Sequence, residues 1–200
     1  MKRFSAQYIF TCSGKPLKRA IVNTEDDGTV INIEDTGGRL PESSAVSFFN
    51  GIIIPGFVNC HCHLELSHLK GTVKNGGGLP VFIMQVRSIR DKEQKLIIRA
   101  IESADSEMDS EGIVLCADIC NNSSTFDLKK KSKIKYINLL EVFGIDPEKA
   151  HKRMSDVLKL ADEAEKQSLP YNIVPHSVYS VSLPLFTLIR NSNPNPRINS

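Results

Sequence analysis

His61 and His63 stand one residue apart at the end of a β-branched, apolar run that begins at Gly51 and passes through Ile52-Ile-Ile-Pro-Gly-Phe-Val-Asn59. Side chains alternate across a strand, so residues i and i+2 share a face. Both imidazoles are therefore expected side by side at the strand's end, as two ligands of one metal ion would be. Imidazole is a usual ligand for zinc and related metals, and a catalytic centre keeps one position open for water. A second short apolar segment, Asn172-Ile-Val-Pro-His176, also ends on a histidine, so three of the five histidines fall at predicted strand ends. A divalent ion held by three histidines would lower the pKa of bound water and supply hydroxide near neutral pH. On spacing alone, core histidines stand as the alternative for the pair and for His176.

Other polar side chains collect near the same strand ends. Glu65 and His68 follow the pair, where a loop would meet substrate or solvent. Glu141 closes one predicted strand and Asp118 lies near the end of another. A buried acid at either place needs a partner, which fits a substrate contact or a structural hydrogen bond. Tyr179 is placed to line a pocket or to pack beneath the next loop, and His151 falls in a charged helix start. Five cysteines without a secretory signature are expected as free thiols. Cys60 and Cys62 would share the strand face opposite the histidines, and their spacing to Cys116 and Cys120 is not that of a structural zinc site. They are expected to pack outward as small hydrophobes.

These residues need a scaffold of alternating strands and helices. From Gly51 onward the pattern is that of βα units and a parallel sheet, which defines an α/β protein. Gly112–Ile119, Ile134–Val142 and Asn172–His176 read as strands after the histidine strand. A helical turn is expected near Val81. Between Asp91 and Met108 a helical stripe is carried by Leu96, Ile97, Ala100, Ile101, Ala104 and Met108. Asp146-Pro147 is a helix start with an acid at the N-cap and proline at N1. Ala150, Met154, Val157, Leu158, Ala161 and Ala164 form that helix's apolar face. A short helix follows over Leu183–Arg190, and Arg197-Ile-Asn-Ser200 could open a further strand. Residues 1–50 differ: Asp-Gly and Gly-Gly signals separate short β-type runs at Phe4–Cys12, Arg19–Asn23 and Thr29–Ile33.

The 200 residues are 40% hydrophobic and 24% charged with a formal net charge of +2. That balance is expected of a soluble globular protein without a nucleic-acid or membrane partner, and Lys129-Lys-Lys131 reads as a solvated loop. No apolar run approaches the roughly 20 residues needed to span a bilayer. The amino terminus lacks the features of a signal peptide, so the expected compartment is the cytoplasm.

Ile54-Pro-Gly-Phe-Val-Asn59 followed by His61 and His63, then Leu69-Lys-Gly71, and finally Pro175-His176 with Tyr179-Ser-Val-Ser182, together resemble the amidohydrolase superfamily. The resemblance is to its chlorohydrolase and deaminase branch, and His61-Cys-His-Leu-Glu-Leu-Ser67 is similar to the stretch in aminofutalosine deaminase-like members. It covers essentially the whole chain, least distinctively over the first fifty residues. It implies a partial (β/α)8 TIM-type barrel over 51–200, the N-terminal half of a metal-dependent hydrolase barrel. Residues 1–50 would be part of a small β-sandwich completed by C-terminal residues. A full barrel of this type takes about 250 residues. It further implies His61, His63 and His176 as ligands of one divalent metal ion, zinc or iron, and Glu65, Glu141 and Tyr179 as substrate contacts. The family's further histidine and aspartate, which act as general acid and base, are expected beyond Ser200, so the sequence looks truncated.

The implied activity is hydrolysis of a non-peptide carbon–nitrogen bond, most often deamination of an aminopurine-like heterocycle by metal-bound hydroxide. The implied partner is a small-molecule substrate, with a homodimer left open. A chlorohydrolase of the same fold and an inactive metal-binding fragment are the alternatives. Ring-cleaving cyclic amidases use two metals bridged by a modified lysine; here Lys133 and Lys135 lie at the start of their strand, which favours the single-metal branch.

Overall fold

The structure, a computed structural model, describes residues 1–41, 45–74, 76–89 and 93–192. The strand expected at Arg197-Ile-Asn-Ser200 lies outside the described residues, as does Asp91. The chain divides into two units, Met1–Gly56 and Phe57–Ser200. The division falls after Gly56 instead of between residues 50 and 51, because the apolar run ahead of the histidines is split. Its first part completes a strand of the N-terminal sheet, and Ile54-Pro-Gly56 separates it from the histidine strand. Pro55 has no N–H to give to a ladder.

In the first unit, β1 (Lys2–Ile9) pairs antiparallel with β2 (Leu17–Lys18) and β3 (Ile21–Thr24). Strand β3 continues antiparallel into β4 (Val30–Glu34), and β5 (Ser47–Ile53) runs parallel to β1. The β3–β4 turn is the expected Asp-Gly hairpin: Glu25 N–H donates to Thr29 C=O at 2.8 Å, and Gly28 takes φ 95°. A small core of Ile9, Ala20 and Val22, flanked by Phe4, Leu17 and Ile53, holds the sheet.

The second unit is a four-stranded sheet in the order β6-β7-β8-β9, with every pair parallel. The strands are β6 (Phe57–Cys62), β7 (Ile113–Cys120), β8 (Lys135–Val142) and β9 (Tyr171–Pro175). Parallel neighbours require crossovers, and helices supply them. Between β6 and β7 come a 3-10 helix (Leu64–Leu69), α1 (Gly78–Ile89) and α2 (Gln94–Ser110). The short α3 (Phe126–Lys129) lies between β7 and β8, α4 (Ala150–Lys166) between β8 and β9, and α5 (Leu183–Ser192) after β9. Among the described residues the sheet is open and forms no closed barrel.

The predicted face of α4 is largely the buried one, whereas in the α2 stripe Ile101 is buried and Leu96 is exposed. Ala150, Met154, Val157, Ala161 and Ala164 of α4 pack with Leu140, Ile173, Leu185 and Ile189, while Leu158 stays 42% exposed. Asp146 caps the 3-10 turn Pro147–Lys149 that leads into α4, accepting from the Glu148 N–H at 3.1 Å. A second cluster joins Leu64, Ile101, Cys116, Ile134 and Tyr136. Helix α3, four residues long, makes a single turn and has no apolar period to announce it. Lys129 is buried, not part of a solvated loop, whereas Lys130 and Lys131 are exposed.

Candidate functional site

In a parallel sheet the C-terminal ends of the strands lie together, and the chemistry-bearing side chains gather there. His61 lies inside β6 and His63 immediately follows it, with ring centroids 5.2 Å apart and planes at 70°. The local backbone is not a plain strand. The β6–β7 register shifts between Asn59, opposite Cys116, and Cys62, opposite Asp118, so β6 spends an extra residue around Cys60 and His61. Such a bulge re-aims side chains, and it frees a backbone N–H from the ladder. The Asn59 side chain satisfies it, accepting from the His61 N–H at 3.1 Å.

The bulge also revises the cysteine expectation. Cys60 is exposed, and Cys62 is half-buried beside Cys116. The Cys62 thiol is pushed up by its hydrogen bond with Cys116 and by burial, and burial pushes Cys120 up to about 12. Neither is a thiolate near neutral pH, and all five cysteines are free.

His63 is the more enclosed imidazole. Burial lowers its pKa below the ordinary 6.5, with Glu141 and Asp118 pulling the other way and His61 and His176 reinforcing the depression. These four groups are thus its electrostatic surroundings. Its Nδ1 is buried and has no hydrogen-bond partner among the described residues. A neutral ring with an unused nitrogen beside a second imidazole is a donor pair suited to zinc. Among the described residues no group of three or more His, Cys, Asp or Glu converges as a metal cluster, so the pair is the part that fits.

His176 follows β9, its N–H donating to Val142 C=O at 2.9 Å. Its Nδ1 meets Glu141 Oε1 at 2.7 Å, and Glu141 is only 7% exposed against 48% for the histidine. The other Glu141 oxygen accepts from Asn121 Nδ2 at 3.3 Å, and the Asn121 N–H donates to Glu65 Oε2 at 3.0 Å. Glu65, Asn121, Glu141 and His176 thus form one hydrogen-bonded row across all four strand ends. Glu65 is 3% exposed and is not a solvated loop acid. Phe143 stands edge-on to the His176 ring at 6.4 Å, and the Arg153 guanidinium lies 5.6 Å over Phe143. A cavity of about 190 Å³ opens beside Asn121, Glu141, Phe143 and Arg153.

Two expected site residues fall elsewhere. Asp118 is fully buried and ion-paired with Lys129 at 2.6 Å, so it is not a pocket-facing acid. Tyr179 is 79% exposed in the 3-10 turn Val178–Ser180, outside the hydrogen-bonded row. His151 is exposed, at the charged start of α4. Sequence reasoning missed Asn121 and Lys129. Asn121 follows the last residue of β7, a position that could have flagged it, whereas nothing in a lysine run marks its first member as buried.

Neither family models nor curated proteins gave a match to this sequence. Solved structures did. Helicobacter pylori aminofutalosine deaminase, in complex with methylthio-coformycin, superposes with a TM-score of 0.75 at 21% identity, over 96% of this chain and 48% of that one. Guanine deaminase from C. acetobutylicum with bound guanine gives 0.68 at 18% identity, over 95% and 49%. A variant of atrazine chlorohydrolase from Arthrobacter aurescens, complexed with zinc and atraton, gives 0.69 at 15% identity, over 96% and 50%. The chain spans about half the length of each of these structures. At these identities the likeness establishes fold alone: the chain shares the fold of the part of each structure that it covers. Among the described residues no helix is long and apolar enough to cross a membrane.

Proposed function

We propose that this chain is the N-terminal, metal- and substrate-binding part of an enzyme that hydrolyses a non-peptide carbon–nitrogen bond, deaminating an aminopurine-like heterocycle. The observation that carries it is the His61–His63 pair, rings 5.2 Å apart at the end of a parallel strand, within this fold. The four strands would be half of a (β/α)8 barrel and the first unit part of a β-sandwich. Two of the three likenesses are deaminases by name, which favours deamination, and the zinc in the third favours zinc over iron. The same reading makes it a cytoplasmic enzyme with a diffusible small-molecule substrate, with a homodimer as the assembly to test.

His61 and His63 would hold the ion, His63 through a ring that burial keeps neutral. When bound, a divalent cation supplies an acidified water as nucleophile near neutral pH. Glu141 fixes the His176 ring through Nδ1 and leaves Nε2 available. In the first reading Nε2 is the third metal donor, oriented by its carboxylate in the usual way of ligating histidines. In a second reading Nε2 binds the substrate, with Phe143, 49% exposed, offering an apolar edge to a planar ring. The second is favoured by the lack of a three-residue metal group among the described residues. Glu65 acts through Asn121 on the orientation of Glu141, and Tyr179 is open to substrate.

The test is ammonia release from aminopurine nucleosides by the zinc-loaded protein expressed from its native gene, with chloride release from a chlorotriazine assayed in parallel. Ammonia release is expected; chloride release alone would move the assignment to the chlorohydrolase. His61→Ala and His63→Ala are expected to lose bound zinc. His176→Ala separates the two readings: lost zinc supports the ligand role, whereas retained zinc with a raised KM supports substrate binding.

A further inference from the structure

The Lys129 ammonium is enclosed in the second unit with no exposed side-chain surface, and all its donors are spent. Nζ reaches Asp118 Oδ2 at 2.6 Å, Asn138 Oδ1 at 2.7 Å and Cys120 Sγ at 3.1 Å. A lysine so placed has no free valence for substrate. Its effect passes through Asp118, whose other oxygen, Oδ1, accepts from the Leu64 N–H at 2.7 Å. Leu64 directly follows His63 and opens the 3-10 helix, and His63, in the capping position, supplies no side-chain cap of its own. The missing cap comes from the neighbouring strand instead. It comes where it is needed, since Cys62 opposite Asp118 is the last paired residue of β6 and the bulge has already loosened the ladder at His61. One hydrogen bond from a carboxylate locked on its far side therefore sets the backbone on the C-terminal side of both histidines.

We propose that Asp118 is a positioning residue: held by Lys129, its carboxylate fixes the Leu64 amide and thereby the turn from which His61 and His63 present their rings. This rests on the reading of those two histidines as metal ligands. A plain core ion pair would stabilise the sheet equally well without affecting the histidines, so the test must keep the core neutral and change only the acceptor.

Two double variants do so. Asp118→Asn with Lys129→Met keeps a side-chain oxygen for Leu64, and Asp118→Leu with Lys129→Met removes it; neither leaves an unpaired buried charge. Two quantities are read on the protein expressed from its native gene: hydrogen exchange of the Leu64 amide without metal, and zinc affinity by competition with a chromophoric chelator. The asparagine variant is expected to keep a protected Leu64 amide and near-native affinity. The leucine variant is expected to expose that amide to exchange and to bind zinc about 10–100-fold more weakly, the usual effect of losing an outer-shell support. Equal exchange and equal affinity in the two variants would overturn the proposal. If the wild-type protein takes up no zinc, the metal reading falls, while the exchange comparison still decides whether Asp118 holds the turn. Should the leucine variant fail to fold, the wild-type Leu64 amide decides, since fast exchange there would exclude a fixed turn.

Discussion

Lys129 shows how much one buried cation can matter at a place where the sequence offers only a run of lysines. Its ammonium lies 5.3 Å from the Tyr136 ring and 5.8 Å from Phe126, and pairs with a carboxylate that is equally buried. Removing one member of such a pair strands the other, so Lys129→Met alone is expected to cost about 3–5 kcal/mol of unfolding free energy in urea titrations. Burial by itself would lower the lysine pKa, but Asp118 and then Cys120 outweigh it and hold the group above its ordinary 10.5. A raised pKa stabilises the fold fully below the unfolded value and ceases to do so as pH rises through the folded one. The gap between wild type and Lys129→Met should therefore shrink as pH rises above 10.5. His61 and His63 were legible because spacing of two at a strand's end has a geometric meaning. Lys129 and Asn121 were not, because burial and cross-strand hydrogen bonds depend on which strands become neighbours.

The elements were legible wherever a period or a cap announced them. Strands β7, β8 and β9 and helices α2, α4 and α5 begin and end close to where apolar spacing and the Asp146-Pro147 signal place them. The β6 bulge and the single-turn α3 carry no periodic signature and could not be read. Chain reversals show the same physics. After α2, the Glu111 N–H reaches Glu107 C=O at 3.0 Å and the Gly112 N–H reaches Asp109 C=O at 3.1 Å, with Gly112 at φ 84°. This left-handed residue leads directly into β7, and its carbonyl accepts from the Phe57 N–H. Gly112→Ala is expected to lower stability by about 1–2 kcal/mol, the cost of a Cβ in that conformation. After α4 the corresponding place is taken by Ser168 at φ 56°, so Ser168→Gly is expected to raise the melting temperature.

At the scale of the molecule, the two units hold unequal cores. The first rests on Ile9, Ala20 and Val22, with Val30, Ile31, Phe48, Phe49 and Ile52 exposed. The second buries a far larger cluster around Phe126, Leu140, Met154, Ile173 and Leu185. Native-state hydrogen exchange of this 200-residue chain should therefore find weaker protection in β1–β5 than in β7–β9. The strand order of the second unit adds a kinetic asymmetry. β7 and β8 are joined by the short passage from Cys120 to Lys135, while β6 must wait for the long one from Cys62 to Ile113. Closing the longer loop costs roughly 1 kcal/mol more in chain entropy. The folding nucleus is thus expected at β7–β8, with β6 docking late. Leu140→Ala should slow folding, whereas changes at the β6–β7 seam should chiefly speed unfolding. The histidine strand then falls into register only after the main barrier is crossed, so a ligand gripping those imidazoles would lengthen the life of the native state without hastening its birth.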